Sequence, residues 1–267
     1  MTRARDMADL ASSATTLATQ SDGYVYRDTL YLTSSTTFTK ASYPWLRAIK
    51  VICQGGGGGG GGSDYCSVNE AGASSGGGAG AYSERFITDI SSLASSVSIV
   101  VGAGGVGGQG GTSASNSGSH GTDGGRSSFA LGESYQVSAA GGDRGLQGFE
   151  TGSAYGSSGS TVSGGSNVGD IYQQGASSEN SVSFGSTAVG GAYLVGTASA
   201  GASSRLGMGG NPGIVVATTT STANGGTPGT GWGGGGGGGA GAAKTAVADG
   251  GTGGNGRQGI VIVELYA

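Results

Sequence analysis

An unbroken run of eight glycines, Gly55 to Gly62, constrains this fold more than any other stretch of the sequence. Glycine has no Cβ, so the run loses much conformational entropy on ordering and has no side chain to bury in return. One ordered state is an extended helix of the polyproline II type, whose N–H and C=O groups need partners on neighbouring segments. We predict a layer of such packed glycine helices. The alternative is a flexible linker, the usual state of Gly/Ser-rich chains.

A second run, Gly233 to Gly239, returns late in the chain. The strand candidate 46–54 directly precedes the first run, and another, 259–266, follows the second after a short loop. Because linkers seldom adjoin strands with such regular alternation, this placement favours an ordered layer that the chain enters twice. The positions assigned to the layer include Gly55, Gly58, Gly62, Gly233, Gly236 and Gly239.

Composition restricts the class of protein. The 267 residues include 64 Gly and 3 Pro, and Gly does not recur at every third position, which excludes collagen. Only 35% of residues are hydrophobic and 10% charged, so backbone hydrogen bonds must supply much of the stability. The net charge of −4 without a basic cluster argues against a nucleic-acid partner. No apolar run reaches the roughly 20 residues of a membrane span, and no signal-peptide core follows the N-terminus.

The first 20 residues carry a short helical pattern, which we assign to coiled-coil attachment. Its apolar seam consists of Met7, Leu10, Ala14 and Leu17, spaced by 3, 4 and 3 residues. Two heptads are too short for an isolated helix, so the seam predicts self-association as a homotrimer. The alternative is a single helix packed on its own domain.

Two further segments complete the expected organisation. Residues 21–45 form a connecting β segment, and residues 46–267 form a glycine-rich tip. Short strands with glycine turns predict a mainly β fold, an antiparallel β-sandwich combined with the polyglycine helices. Within residues 143–231 we expect long polar loops, with strands only at 192–195 and 213–218.

The order of these pieces resembles the glycine-rich domain at the C-terminal tips of bacteriophage tail fibres. The resemblance covers roughly 34–142 and 225–267, and it is carried by one series of motifs: Thr37-Phe38-Thr39, Pro44, Ile49-Lys50-Val51-Ile52, Gly55 to Gly62, Gly76-Gly77-Gly78-Ala79-Gly80-Ala81-Tyr82, Val100-Val101-Gly102-Ala103-Gly104-Gly105, Gly125-Arg126-Ser127-Ser128-Phe129, Gly233 to Gly241 and Gly259-Ile260-Val261-Ile262-Val263-Glu264. It implies a β-sandwich joined to packed glycine helices, displayed by a trimeric fibre and used to bind the host surface.

That resemblance implies a receptor-binding virion protein, assembled in the host cytoplasm and acting outside the cell. Its partners would be an upstream tail or fibre protein and a bacterial surface glycan or outer-membrane protein. Isolated aromatics in polar loops are candidate anchors for such a receptor, namely Tyr155, Tyr172, Tyr193 and Trp232. Their alternative role is packing over neighbouring glycines. A structural virion spacer without receptor is a further alternative.

No motif predicts catalysis, a cofactor or a metal site. Gly102-x-Gly104-x-x-Gly107 follows a strand but cannot open the helix that a dinucleotide site requires. His120 stands alone in a polar stretch, which favours a solvated loop residue. A tail-associated glycan depolymerase remains the enzymatic alternative, if Glu150, Asp170 and Glu179 meet in space.

The two cysteines, Cys53 and Cys66, flank the first glycine run. We expect them to be unpaired small apolar residues, because the predicted cytoplasmic synthesis does not favour disulfides. A disulfide across the glycine run is the alternative.

Overall fold

The computed structural model of the chain describes residues 23–151, 166–184 and 193–267. Within these ranges the chain forms sixteen strands and one short 3-10 helix, Lys40–Ser42. The strands are β1 (Tyr26–Leu32), β2 (Thr36–Thr39), β3 (Ala48–Gln54), β4 (Glu70–Ala73), β5 (Tyr82–Ile87), β6 (Ser96–Val100), β7 (Ser127–Phe129), β8 (Val137–Ala139), β9 (Glu150–Thr151), β10 (Ile171–Gln173), β11 (Val182–Phe184), β12 (Leu194–Thr197), β13 (Ile214–Ala217), β14 (Thr222–Asn224), β15 (Ala240–Ala243) and β16 (Ile260–Tyr266). The described chain is therefore mainly β, with antiparallel sheets, as the sequence predicts.

Two antiparallel sheets form the first β unit, in the orders β1-β16-β3-β5-β10 and β2-β6-β7-β8. Strand β3 alternates, so that Ile49, Val51 and Cys53 point to one side of its sheet and are fully buried. These residues share a hydrophobic core with Phe38 and Phe129 of the other sheet. The larger apolar side chains of the molecule are thus concentrated where the two sheets meet.

The second β unit also contains two antiparallel sheets, in the orders β14-β15-β4-β9 and β11-β12-β13. Its core is built mainly from alanines, which join Leu194 and Val215. Small residues are required because the two sheets approach closely. A Cβ added to Gly196 of β12 would lie 2.9 Å from the carbonyl oxygen of Gly72 in β4.

Extended segments outside the strands connect the two units, and we call them the glycine layer. Gly55–Gly62 continues from β3, Gly76–Gly80 joins β4 to β5, and Gly233–Gly239 leads into β15. The other segments of the layer are 102–111, 118–125, 141–148, 199–202, 208–213, 225–230 and 250–259. The first unit therefore adjoins the Gly55 end of the first run, and the second unit adjoins its Gly62 end.

The described structure places strands in two further segments. Residues 21–45, predicted as a connecting β segment, contain β1, which pairs with β16, and β2, which pairs with β6. Residues 143–231, predicted as long polar loops with strands at 192–195 and 213–218, contain β9 to β14 in their described part, with β12 and β13 at those two positions. The predicted helix with Met7, Leu10, Ala14 and Leu17 lies outside the described residues.

Candidate functional site

The backbone of the first glycine run makes hydrogen bonds that repeat every three residues. The N–H groups of Gly55, Gly58 and Gly61 donate to the carbonyl oxygens of Ala81, Gly78 and Ser75, at 2.9, 2.9 and 2.8 Å. The next N–H in each triplet donates to 119–125, and the third donates to 254–257. Carbonyl groups of the run accept from 105–108, 142–148 and 236–239. The run is thus hydrogen-bonded to six neighbouring segments.

The two glycine runs lie side by side. Gly236 N–H donates to the carbonyl oxygen of Gly58 at 2.9 Å, and Gly239 N–H donates to that of Gly61 at 3.1 Å. Every residue of both runs is buried. Residues more than 170 positions apart in the sequence are therefore in direct backbone contact.

Glycine is required in these runs because neighbouring backbones leave no room for a side chain. A Cβ on Gly58 would meet the carbonyl group of Asp143, and one on Gly236 would meet that of Gly254. Backbone conformation is not the reason, since Gly233 alone among the residues of both runs has a left-handed φ, of 75°. Close approach on all sides distinguishes this layer from a flexible linker.

Segment 102–111 of the layer carries side chains only where it faces solvent. In segment 102–111, Ala103, Val106 and Gln109 are exposed and three residues apart, while Gly105 and Gly108 between them are buried. The layer therefore has a rigid glycine interior and a surface that accepts larger residues at every third position.

An exposed apolar sheet face lies on the second β unit, and we call it the distal face. Alternation in β11, β12 and β13 turns Val215 and Ala217 inward and leaves the opposite side chains outward. Cross-strand register places Phe184 beside Val195 and Val195 beside Val216. The outward members are Val182, Phe184, Val195, Thr197, Ile214 and Val216, with Tyr193 just before β12. No charged residue occurs in these three strands.

The four predicted aromatic anchors do not come together. Tyr193 is 66% exposed beside the distal face, whereas Tyr172 is exposed on β10, the edge strand of the first unit. Trp232 is half-buried and bridged to Leu206, near the start of the second glycine run. Tyr155 lies outside the described residues. Tyr193 is therefore the one predicted anchor that the described structure places in a larger apolar surface.

A second exposed surface, the proximal face, is the outer side of the five-stranded sheet. Aromatic rings meet there edge to face, with centroid distances of 5.4 Å for Tyr24 and Phe86, 5.5 Å for Phe86 and Tyr266, and 6.0 Å for Tyr266 and Tyr26. Strand pairing places Tyr26 opposite Tyr266, and it places Phe86 and Glu264 on either side of Lys50, so that Phe86 lies near the end of β16 that carries Tyr266. Sequence analysis missed this cluster, since its members are dispersed over the chain.

Charged groups on the proximal face are paired. Lys50 Nζ lies 3.4 Å from Glu84, which also accepts a hydrogen bond from the Tyr82 hydroxyl. Burial raises the pKa of Glu84, but the Tyr82 hydrogen bond and the Lys50 charge lower it more, so the net shift is downward. Glu264 accepts a hydrogen bond from Tyr266 at 2.7 Å, and this bond, with burial, raises the Tyr266 pKa to about 12.

Two carboxyl groups nearer the second unit have pKa values shifted in the opposite direction from that of Glu84. Burial raises the pKa of Asp64, although Oδ1 accepts a hydrogen bond from Gly118 N–H at 2.6 Å. Burial and the neighbouring Glu70 raise the pKa of Glu150. Asp170, by contrast, lies in the first unit and pairs with Arg85 at 3.0 Å. The carboxylates proposed for glycan hydrolysis are therefore distributed over both units.

The remaining candidate residues are structural in the described part of the chain. Cys53 and Cys66 are both buried and free, and burial raises the pKa of the Cys66 thiol to about 12. His120 Nδ1 accepts a hydrogen bond from Gln147 N–H at 3.0 Å. Residues 23–151, 166–184 and 193–267 contain no group of three or more His, Cys, Asp or Glu suited to a metal ion. No helix in these ranges is long and apolar enough to span a membrane.

Together these features define a mainly β protein whose interior is organised around buried glycine segments. Comparison with protein families gives the same class, because residues 33–266 match the family described as a glycine-rich domain. The chain belongs to that family. The search of curated proteins found no match.

Proposed function

We propose that this protein is the tip of a bacteriophage tail fibre and binds the host cell surface without cleaving it. The observation that supports this role best is the distal face, an uncharged apolar surface on the β unit remote from the chain entry. Exposed apolar patches of this kind are characteristic of interaction sites.

The position of the chain ends supports display of the second unit. Val25 N–H donates to Ala267 at 3.0 Å, and Ala267 N–H donates back to Val25 at 2.9 Å, so both ends of the described chain lie on the first unit. Eight residues at the polyproline II rise span about 25 Å. An attachment through residue 23 would therefore hold the first unit and project the second outward.

The detailed architecture in this proposal is a β-sandwich at the first unit, extended by packed polyglycine helices of the polyproline II type. The threefold repeat of hydrogen bonds and the six neighbours of the first run support these helices. The core shared by two facing sheets supports the sandwich. Such a scaffold would hold a binding surface rigidly, and rigid presentation lowers the entropic cost of binding.

The receptor contact in this proposal centres on Tyr193 and the neighbouring valines and isoleucine of the distal face. An aromatic side chain beside an apolar surface is a typical interface anchor. A protein on the bacterial surface suits this face better than a glycan, because β11, β12 and β13 offer few side-chain hydrogen-bond groups. The N-terminal seam would join the tip to an upstream fibre protein as a homotrimer, within the virion.

Adsorption of the labelled full chain to whole cells tests the proposal. Flow cytometry over a panel of bacterial strains should identify strains that bind the wild type. Val216→Asp, on the distal face, should reduce cell-bound protein about tenfold. Val106→Asp is the matched control, since these valines are 56% and 58% exposed and only Val216 lies on the distal face.

Three results would contradict the proposal. They are absence of binding across strains that the parent virion infects, equal loss of binding in both valine variants, and release of reducing ends from envelope polysaccharide. The last result would indicate the depolymerase alternative, and the first would favour a structural spacer.

A further inference from the structure

The proximal face combines exposed aromatic rings with polar groups that already have partners. Tyr31 is 68% exposed on β1, and Ile171 is 54% exposed on β10, at opposite edges of the face. Tyr24, Tyr26 and Phe86 are also exposed on this face. Aromatic residues are enriched in protein–protein interfaces relative to the rest of a protein surface.

Three hydroxyl groups and both carboxylates of this face have partners within the face itself. Tyr266 donates to Glu264, Tyr82 donates to Glu84, and the Tyr26 hydroxyl is 2.9 Å from Thr29 Oγ1. A small polar ligand, such as a sugar, would have to displace these bonds. A partner that mainly covers the rings is favoured instead, because it leaves these bonds in place.

The charges of the face are balanced, which matters for the identity of the partner. Lys50 faces Glu84 at 3.4 Å and lies opposite Glu264 in the strand register, while Arg205 lies over the Tyr82 ring at 4.3 Å. The face thus presents two cations and two anions. A surface with balanced charge meets the same surface of a neighbouring copy without net repulsion.

The chain enters the described structure at this face. The described residues begin at Gly23, and the ring of Tyr24 packs on Phe86. The preceding 22 residues include the seam Met7, Leu10, Ala14 and Leu17. Any association through that seam would bring copies together beside the proximal face, at a high effective concentration.

We propose that the proximal face is a self-association surface and that its occupant is a second copy of this chain. This inference rests on the proposed function only in using its N-terminal seam. It adds a second contact, between the folded units, and this contact stabilises the assembly. The distal face lies outside this contact.

Solution mass of the full chain tests this surface directly. The chain mass is 25.3 kDa, and light scattering after size exclusion over a concentration series should give a multiple of it for the wild type. Tyr31→Lys adds a cation to a face that meets the same face of a neighbouring copy, so self-association should weaken about tenfold. Val106→Lys adds the same charge on the glycine layer and should leave the mass unchanged.

Ile171→Lys repeats the test from the opposite edge of the face, and thermal unfolding followed by circular dichroism verifies that each variant folds. A monomeric wild type would overturn the proposal, and so would an oligomer that both face variants leave unchanged. The first result would fit coverage of the face by residues 1–22 of the same chain, and the second would fit association through the seam alone.

Cell adsorption separates this inference from the proposed function. Val216→Asp should lose adsorption at unchanged mass, whereas Tyr31→Lys should change the mass and retain binding by the single tip.

Discussion

The first β unit and the glycine layer are both buried, yet different groups fill the space between their neighbouring segments. In the first unit, side chains such as Phe129, Ile49 and Val263 occupy the gap between two sheets. In the layer, the backbones of Gly58 and its neighbours touch directly and hydrogen-bond on all sides. Hydrophobic burial stabilises the first region, at about 25 cal/mol per Å² of apolar surface, whereas the layer depends on hydrogen bonds worth about 1 kcal/mol each.

This comparison shows how a chain with few hydrophobic residues can bury much of its length. Each hydrogen bond is weak in net terms, but the layer repeats it at every residue of the first run. The consequence is that the glycine layer has no room for side chains at its buried positions. A hydrophobic core adapts partly to a changed volume, while two backbones in contact cannot move apart without breaking several hydrogen bonds together.

Gly58→Val and Gly236→Val should have the largest effect, because each places a side chain against a neighbouring carbonyl group. We expect destabilisation beyond about 4 kcal/mol, enough to prevent folding. Thermal unfolding by circular dichroism measures it. Ala103→Val is the control, since Ala103 is exposed on the layer and Val106 already occupies the next outward position. Unchanged unfolding in both glycine variants would contradict the packed layer.

Core truncations should have intermediate effects and test how the layer couples the two units. Phe129→Ala in the first unit should cost about 3–5 kcal/mol, and Leu194→Ala in the second about 2–5 kcal/mol. Both side chains are fully buried. Because strands of both units continue into the layer, we expect one urea-unfolding transition in each variant. Separate transitions for the two units would show that the layer does not couple them.

The smallest expected effect is a difference in pH dependence between the units. Burial raises the pKa of Asp64 above its ordinary 3.8, so folded protein holds the proton more tightly and Asp64 lowers stability as pH rises through that window. The Glu84 pKa is lowered from 4.5, so its contribution is present above that value and is lost as pH falls through the folded pKa.

The free energy of unfolding of the wild type minus that of Asp64→Asn should therefore fall as pH rises. The corresponding difference between the wild type and Glu84→Gln should rise with pH. Urea midpoints between about pH 3 and 7 give both differences, bracketing the ordinary pKa values of the two carboxyl groups. If both stability differences changed with pH in the same direction, the opposite electrostatic environments inferred for Asp64 and Glu84 would be contradicted.

The strands beside the glycine runs were predictable because their alternation is strong. Ile49, Val51 and Cys53 in β3 and Val261, Val263 and Leu265 in β16 carry the period of two that a half-buried strand requires. Strands β4 and β15 carry no such signal, since they read Glu-Ala-Gly-Ala and Ala-Gly-Ala-Ala. Small residues have low strand propensity, and only the close approach of the second unit's sheets explains them.

The candidate surfaces were predictable only in part. Tyr193 was singled out as an isolated aromatic, and residues 213–218 were predicted as a strand. Tyr193 and this strand lie on one face because of the register of β11, β12 and β13, and sequence periodicity does not predict that register. The aromatic contacts of Phe86 with Tyr24 and Tyr266 depend likewise on pairing between strands far apart in the chain.

The sheet order β1-β16-β3 has a consequence for biosynthesis. β16, the last described strand to leave the ribosome, lies between two of the earliest, and segment 251–257 hydrogen-bonds to the first glycine run. Such contacts between distant parts of a chain make folding slow. The nascent chain therefore cannot close this sheet until β16 has been translated, and until then β1 and β3 depend on chaperones or on their own solubility to avoid aggregation.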